Sequence, residues 1–137
     1  KCYNFIIIIM ANSHTDFESG RLNLDIPIFQ KTYELYKFFY QLVSHFPKKD
    51  RYTIGQKIEN GILGLIEDII TASQLSKSEK VPTLQGASIK LDVLKVLIRC
   101  CKDLKILDNK KYLLLESQLQ EIGKMLGGWI KASTYRS

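Results

Sequence analysis

Histidine, cysteine and proline are scarce in this chain, and each scarcity closes off a class of function. His14 and His45 lie far apart with no nucleophile or carboxylate in a recognisable spacing, so no Ser/His/Asp or Cys/His set can be assembled from them. Cys2, Cys100 and Cys101 form neither a CxxC pair nor a Cys/His metal spacing. Neither a disulfide framework nor a zinc site is indicated, and idle thiols in a reducing compartment are expected. The Glu-x-x-His motif of a di-iron bundle is missing. So is any glycine-rich phosphate loop, since Gly127-Gly128 matches no nucleotide motif. Glu59, Glu67 and Asp68 fall on a helical surface and read as solvated charges. The chain therefore reads as a non-enzyme with no cofactor and no metal. The apolar run inside Lys1 to Met10 (KCYNFIIIIM) is far below the ~18 residues needed to span a membrane, and no membrane role is expected.

What the sequence does have is positive charge and helical periodicity. At 137 residues it has the length of one domain with a single core. The net charge of +6 and the pI near 9.2 point to a polyanion or an acidic protein surface as partner. Mean hydropathy of −0.08 with 45% hydrophobic residues is globular.

Residues 1–25 read as a flexible N-terminal extension, polar and mixed in charge from Ala11 onward. Met10 is a candidate true start, with residues 1–9 upstream of it; a partner-binding arm or strand is the alternative. A four-helix bundle is expected over residues 26–133, followed by a short tail over 134–137. Helix 1 should begin near Asp25 to Pro27 and run to about His45, with Ile28, Leu35, Phe39, Leu42 and Phe46 on an inward stripe. Tyr33, Tyr36, Phe38 and Tyr40 widen that stripe and read as core or subunit packing ahead of base stacking.

The corner FPKKDRYTIGQKIEN organises the chain. Pro47 must end helix 1, and Lys48, Lys49 and Arg51 make the turn basic. Thr53 with Gln56 three residues on reads as a capping box that opens helix 2, which would continue to Ser73. Gly55, Gly61 and Gly64 weaken that helix and imply close approach by a neighbour.

Helix 3 should open at Pro82 and run to about Leu107. Its apolar positions, among them Val93, Val96 and Cys100, sweep over half its circumference, more than one bundle core requires. A second buried face, in an oligomer or against a partner, is expected. Asp108 and Asn109 supply cap chemistry for helix 4, which would bury Tyr112, Leu115, Leu119, Ile122, Leu126, Trp129 and Ile130. Short loops predict an all-α, antiparallel, up-down-up-down bundle with Lys95 and Lys124 within about a turn of each other. Lys95, Arg99 and Lys102 from helix 3 with Lys124 from helix 4, extended by Lys110 and Lys111, form the candidate phosphate-tracking surface. The competing reading is a solvated face with the ion pairs Asp92–Lys95 and Arg99–Asp103.

The segments FPKKDRYTIGQKIEN, KLDVLKVLIRCCKDLKIL and EIGKMLGGWIK resemble the four-helix-bundle family that includes the accessory variability determinant (Avd) proteins of diversity-generating retroelements. The same superfamily contains proteins encoded in intervening sequences of bacterial 23S ribosomal RNA genes. The retroelement resemblance, leaning on Gly127-Gly128-Trp129, implies a non-catalytic subunit that assembles as a positively charged pentameric ring. It also implies binding to reverse transcriptase and to template RNA or an RNA/DNA hybrid. The family's basic positions match Lys95, Arg99 and Lys124 here. A cytoplasmic location, in a bacterium or archaeon or encoded by a phage, goes with it. Two alternatives stay open: an intervening-sequence bundle protein, and a helical module that binds an acidic protein.

Overall fold

A computed structural model of the chain describes residues 25–134. The expectations for residues 1–24, the candidate start at Met10 included, and for residues 135–137 fall outside the described residues. Four long helices and no strand make up the described chain: α1 (Pro27–Val43), α2 (Gln56–Ser73), α3 (Lys80–Asp103) and α4 (Asn109–Thr134). α1 and α3 each pack against α2 and α4, which puts α1 and α3 diagonally across a four-helix bundle. The helix-periodic apolar residues form one core. Leu35, Phe39, Ile58, Ile62, Leu65, Ile69, Leu94, Ile98, Leu115, Leu119 and Ile122 are fully buried. Burial of each such side chain contributes about 1.5–3 kcal/mol before the entropy of ordering is counted.

The predicted inward stripe of α1 is buried in full, and Pro27 takes the first helical position. The aromatic flank is a different matter. Tyr33, Tyr36 and Phe38 are half-buried and Tyr40 is 61% exposed; Tyr36 and Tyr40 turn toward the groove with α2, and Phe38 toward the α3–α4 turn.

The entry to α2 differs from the expected capping box. The chain is already helical at Lys48–Asp50 and passes through a π-helical turn at Arg51–Gly55. The Thr53 hydroxyl donates back to the carbonyl of Lys49 at 2.8 Å rather than accepting from a downstream amide. Thr53 therefore sits inside a helix, where this back-bonding is a threonine's usual option. The π turn inserts a residue into the helical repeat, which brings Gly55 against α1. A Cβ on Gly55 would lie 2.7 Å from Val43 Cγ2 and 3.1 Å from the Asp50 carbonyl. On Gly61 it would lie 2.8 Å from Leu94 Cδ2, so both glycines permit the close approach that their presence implied. Gly64 does not: its nearest neighbour is the Lys90 stem at 3.7 Å, an ordinary contact.

α3 starts two residues before Pro82 and stops at Asp103, short of Leu107. Lys105 takes the left-handed conformation at φ 63° and ends the helix. The amide of Ile106 bonds the Cys101 carbonyl at 2.8 Å and that of Lys105 bonds Lys102 at 3.0 Å, a Schellman closure. Asp108 then caps α4, its carboxylate accepting from the Lys111 amide at 2.8 Å.

Candidate nucleic-acid interface

The basic residues proposed from sequence fall on two connected regions. On the α3–α4 face, Lys95 reaches across the helix pair. Its Nζ lies 3.8 Å from where a Gly123 Cβ would stand, and Gly123 immediately precedes Lys124. The bare glycine leaves room for the lysine side chain, and Lys124 follows it in α4. Lys102 lies over the Tyr112 ring, 4.8 Å from its centroid, which anchors the side chain of one helix on the other. Arg99 stands outward, 63% exposed, with Nε 3.5 Å from Asp103. Lys95 is 4.0 Å from Asp92.

Both ion pairs of the competing reading therefore form. They are exposed pairs within one helix, of the kind worth about 0.3–0.5 kcal/mol, so an incoming phosphate can displace either carboxylate at small cost. Lys124 is exposed and makes no ion pair among the described residues.

The second region is the end of the bundle where the α1–α2 and α3–α4 corners meet. Phe38, His45, Phe46, Ile106, Leu107 and Lys111 line one shared cleft, so Lys48 and Lys49 stand at the same end as Lys110 and Lys111. Lys48, Lys49 and Lys110 are exposed and unpaired among the described residues. Lys105, absent from the sequence-based set, joins them. It lies exposed in the turn between α3 and α4, in the left-handed conformation that ends α3.

Arg51 stands apart from the surface cations. Its Nη2 donates to the carbonyls of Ser44 at 3.2 Å and Phe46 at 3.4 Å, groups left open at the end of α1. Its Nε is buried without a hydrogen-bond partner among the described residues. The guanidinium closes the corner rather than presenting a full fork to solvent.

The thiols do no visible chemistry here. Burial first, then the Cys100 and Asp50 charges, push the Cys101 thiol up to about 12, which keeps it protonated and unreactive at neutral pH. Cys100 is free and half-buried on the outward side of α3. Among the described residues no group of three His, Cys, Asp or Glu side chains gathers to hold a metal, and no helix is long and apolar enough to cross a membrane.

Sequence reasoning read Tyr36 and Tyr40 as core or subunit packing and left out Tyr52, which only the fold brings beside them. Tyr40 and Tyr52, 61% and 62% exposed, border a cleft between α1 and α2 with Tyr36, Glu59 and Leu63. The Tyr36 and Tyr40 rings are 6.2 Å apart. Desolvation, followed by the charges of Glu59 and Tyr40, raises the Tyr36 phenol above its ordinary value.

No curated protein matches the chain. A protein-family model described as bAvd-like matches residues 26–133, the whole helical bundle with its basic face and both corners. The chain therefore belongs to the bAvd-like family.

Proposed function

We propose that this chain is a non-catalytic accessory subunit of a diversity-generating retroelement. It would act in the cytoplasm of a bacterial or archaeal cell, encoded by the host or by a phage, and hold reverse transcriptase and template RNA, or an RNA/DNA hybrid, together during mutagenic copying. The bundle is antiparallel, up-down-up-down. Contacts of Gly61 with Leu94, Lys95 with Gly123 and Lys31 with Glu121 support that order. Copies close into a ring, a pentamer by resemblance, through apolar surfaces. Val96, 67% exposed on the outward side of α3, supports a second buried face there.

The observation that carries the reading is the run of cations from Lys48, Lys49 and Lys110 at one end, past Lys102 and Arg99, to Lys95 and Lys124. Fixed on rigid helices, such a run tracks a phosphate backbone and releases counterions as it binds. Lysine at Lys95 and Lys124 contacts phosphates as a point charge, without the bidentate geometry of arginine. Repetition around a ring would multiply the surface.

Light scattering of the protein alone and with a structured RNA, at low and at moderate salt, tests this. The expected result is a ring-sized mass and RNA binding that weakens as salt rises. Lys95→Glu with Lys124→Glu should lower the slope of log affinity against log salt by about two. A monomer indifferent to RNA refutes the reading. The ion pairs on Lys95 and Arg99 are those of a solvated face, and if that face binds no RNA the second reading is a helical module for an acidic protein. In that case the same double variant abolishes a protein complex while no RNA affinity exists to lose.

A further inference from the structure

Apart from Leu113 and Leu114 on α4, the large exposed apolar side chains of the described residues fall on two faces that a single copy cannot bring together. On α3, Ile89, Val93, Val96 and Leu104 recur at helical spacing and point away from the core face of Leu91, Leu94 and Ile98. The stripe extends about 22 Å along the helix. On the diagonal helix, Tyr40 joins Tyr52 and Leu63 around the α1–α2 cleft. One face is a convex ridge of aliphatic side chains, and the other is concave and aromatic.

We infer that these two faces are the halves of one head-to-tail interface, with the α3 ridge of one copy seated in the α1–α2 tyrosine cleft of the next. The inference rests on the ring reading above and adds which surfaces meet.

Symmetry argues for this pairing. If the α3 ridge packed on its own copy, the interface would close at two chains and leave the tyrosine cleft uncovered. Head-to-tail pairing covers both faces in every copy and is the arrangement from which rings are built. Charge argues the same way. Glu59 inside the cleft makes no ion pair among the described residues, while Arg99, largely exposed and held only by its long pair with Asp103, borders the ridge. Tyrosine is also well suited to the seat, since it offers a large apolar ring at little conformational entropy and a hydroxyl that stays satisfied at a rim.

The test is the solution mass of the full chain and of V96E and Y40E, alone and mixed one to one. Both positions face solvent in the single copy, so the circular dichroism of each variant should match the parent; V93E with Y52E is a second pair if either fails to fold. The parent should be a multi-chain particle. Each variant alone should fall to the mass of one chain, 15.8 kDa. The mixture should recover a two-chain species, because V96E keeps an intact cleft and Y40E an intact ridge. A Y40E protein that keeps the parental mass while V96E loses it overturns the inference and leaves the ring standing. A parent that is a single chain at micromolar concentration removes the ring reading, and this inference with it.

Discussion

Replacing Lys105 with glycine should stabilise the fold. Lys105 ends α3 in the left-handed conformation, at φ 63°, where its Cβ crowds the following carbonyl. That crowding costs an L-residue roughly 1–2 kcal/mol, and the extra freedom glycine has in the unfolded chain offsets about 0.5–1 kcal/mol of the relief. The net gain expected of K105G is about 0.5–1 kcal/mol, with both closing hydrogen bonds retained because they involve backbone atoms only. K105A is the control. It removes the same charge from the end of the helix, a loss of a few tenths of a kcal/mol, but keeps the strained dihedral. Urea unfolding followed at 222 nm, at one protein concentration to hold any association constant, should move the K105G midpoint up by about 0.3–0.5 M. A K105G protein no more stable than K105A would refute the reasoning.

Gly55→Ala should destabilise by about 1–2 kcal/mol despite alanine's better helix propensity, because its Cβ meets the stiff Val43 side chain and the Asp50 carbonyl. Adding Val43→Ala should recover part of that loss in a double-mutant cycle, and strictly additive effects would contradict the contact. Arg51→Ala should lower stability by about 1 kcal/mol through the exposed carbonyls of Ser44 and Phe46. Arg51→Ala should leave the salt slope of RNA binding nearly unchanged, in contrast to Lys124→Ala. For Cys101 the unfolded thiol ionises near 9.0 while the folded one holds its proton to about 12. The unfolded chain therefore binds fewer protons in that window, so stability is full below pH 9 and falls as pH rises toward 12, at up to about 1.4 kcal/mol per pH unit. Tyr36 adds a fall of the same sign. Cys101→Ala should flatten the alkaline limb of a denaturation series, at the cost of a small packing loss at neutral pH.

The helices and their core faces were legible because both depend on short-range periodicity. Ile58, Ile62, Leu65 and Ile69 had to share one side of α2 whatever packed against it, and all four are buried. Asp108 could be read as a cap for the same reason, since the cap and the amide it satisfies are three residues apart. The start of α2 was not legible. Thr53 and Gln56 have capping-box spacing, yet the helix begins at Lys48 because the π turn lets Gly55 fit under Val43. Arg51 looked like one more surface cation, and only the folded corner turns it onto the carbonyls of α1.

By itself the sequence determined an all-helical chain, a basic character and the helical faces that seek burial, because charge and period 3.6 are properties of the chain's own order. Tertiary structure decided which residues become neighbours. Lys95 reaches across to α4 over the bare Gly123, Lys102 lies over the Tyr112 ring, and Tyr40 borders a cleft with Leu63 of α2. Each of these depends on atoms distant in sequence meeting at van der Waals range, and no local pattern encodes that distance.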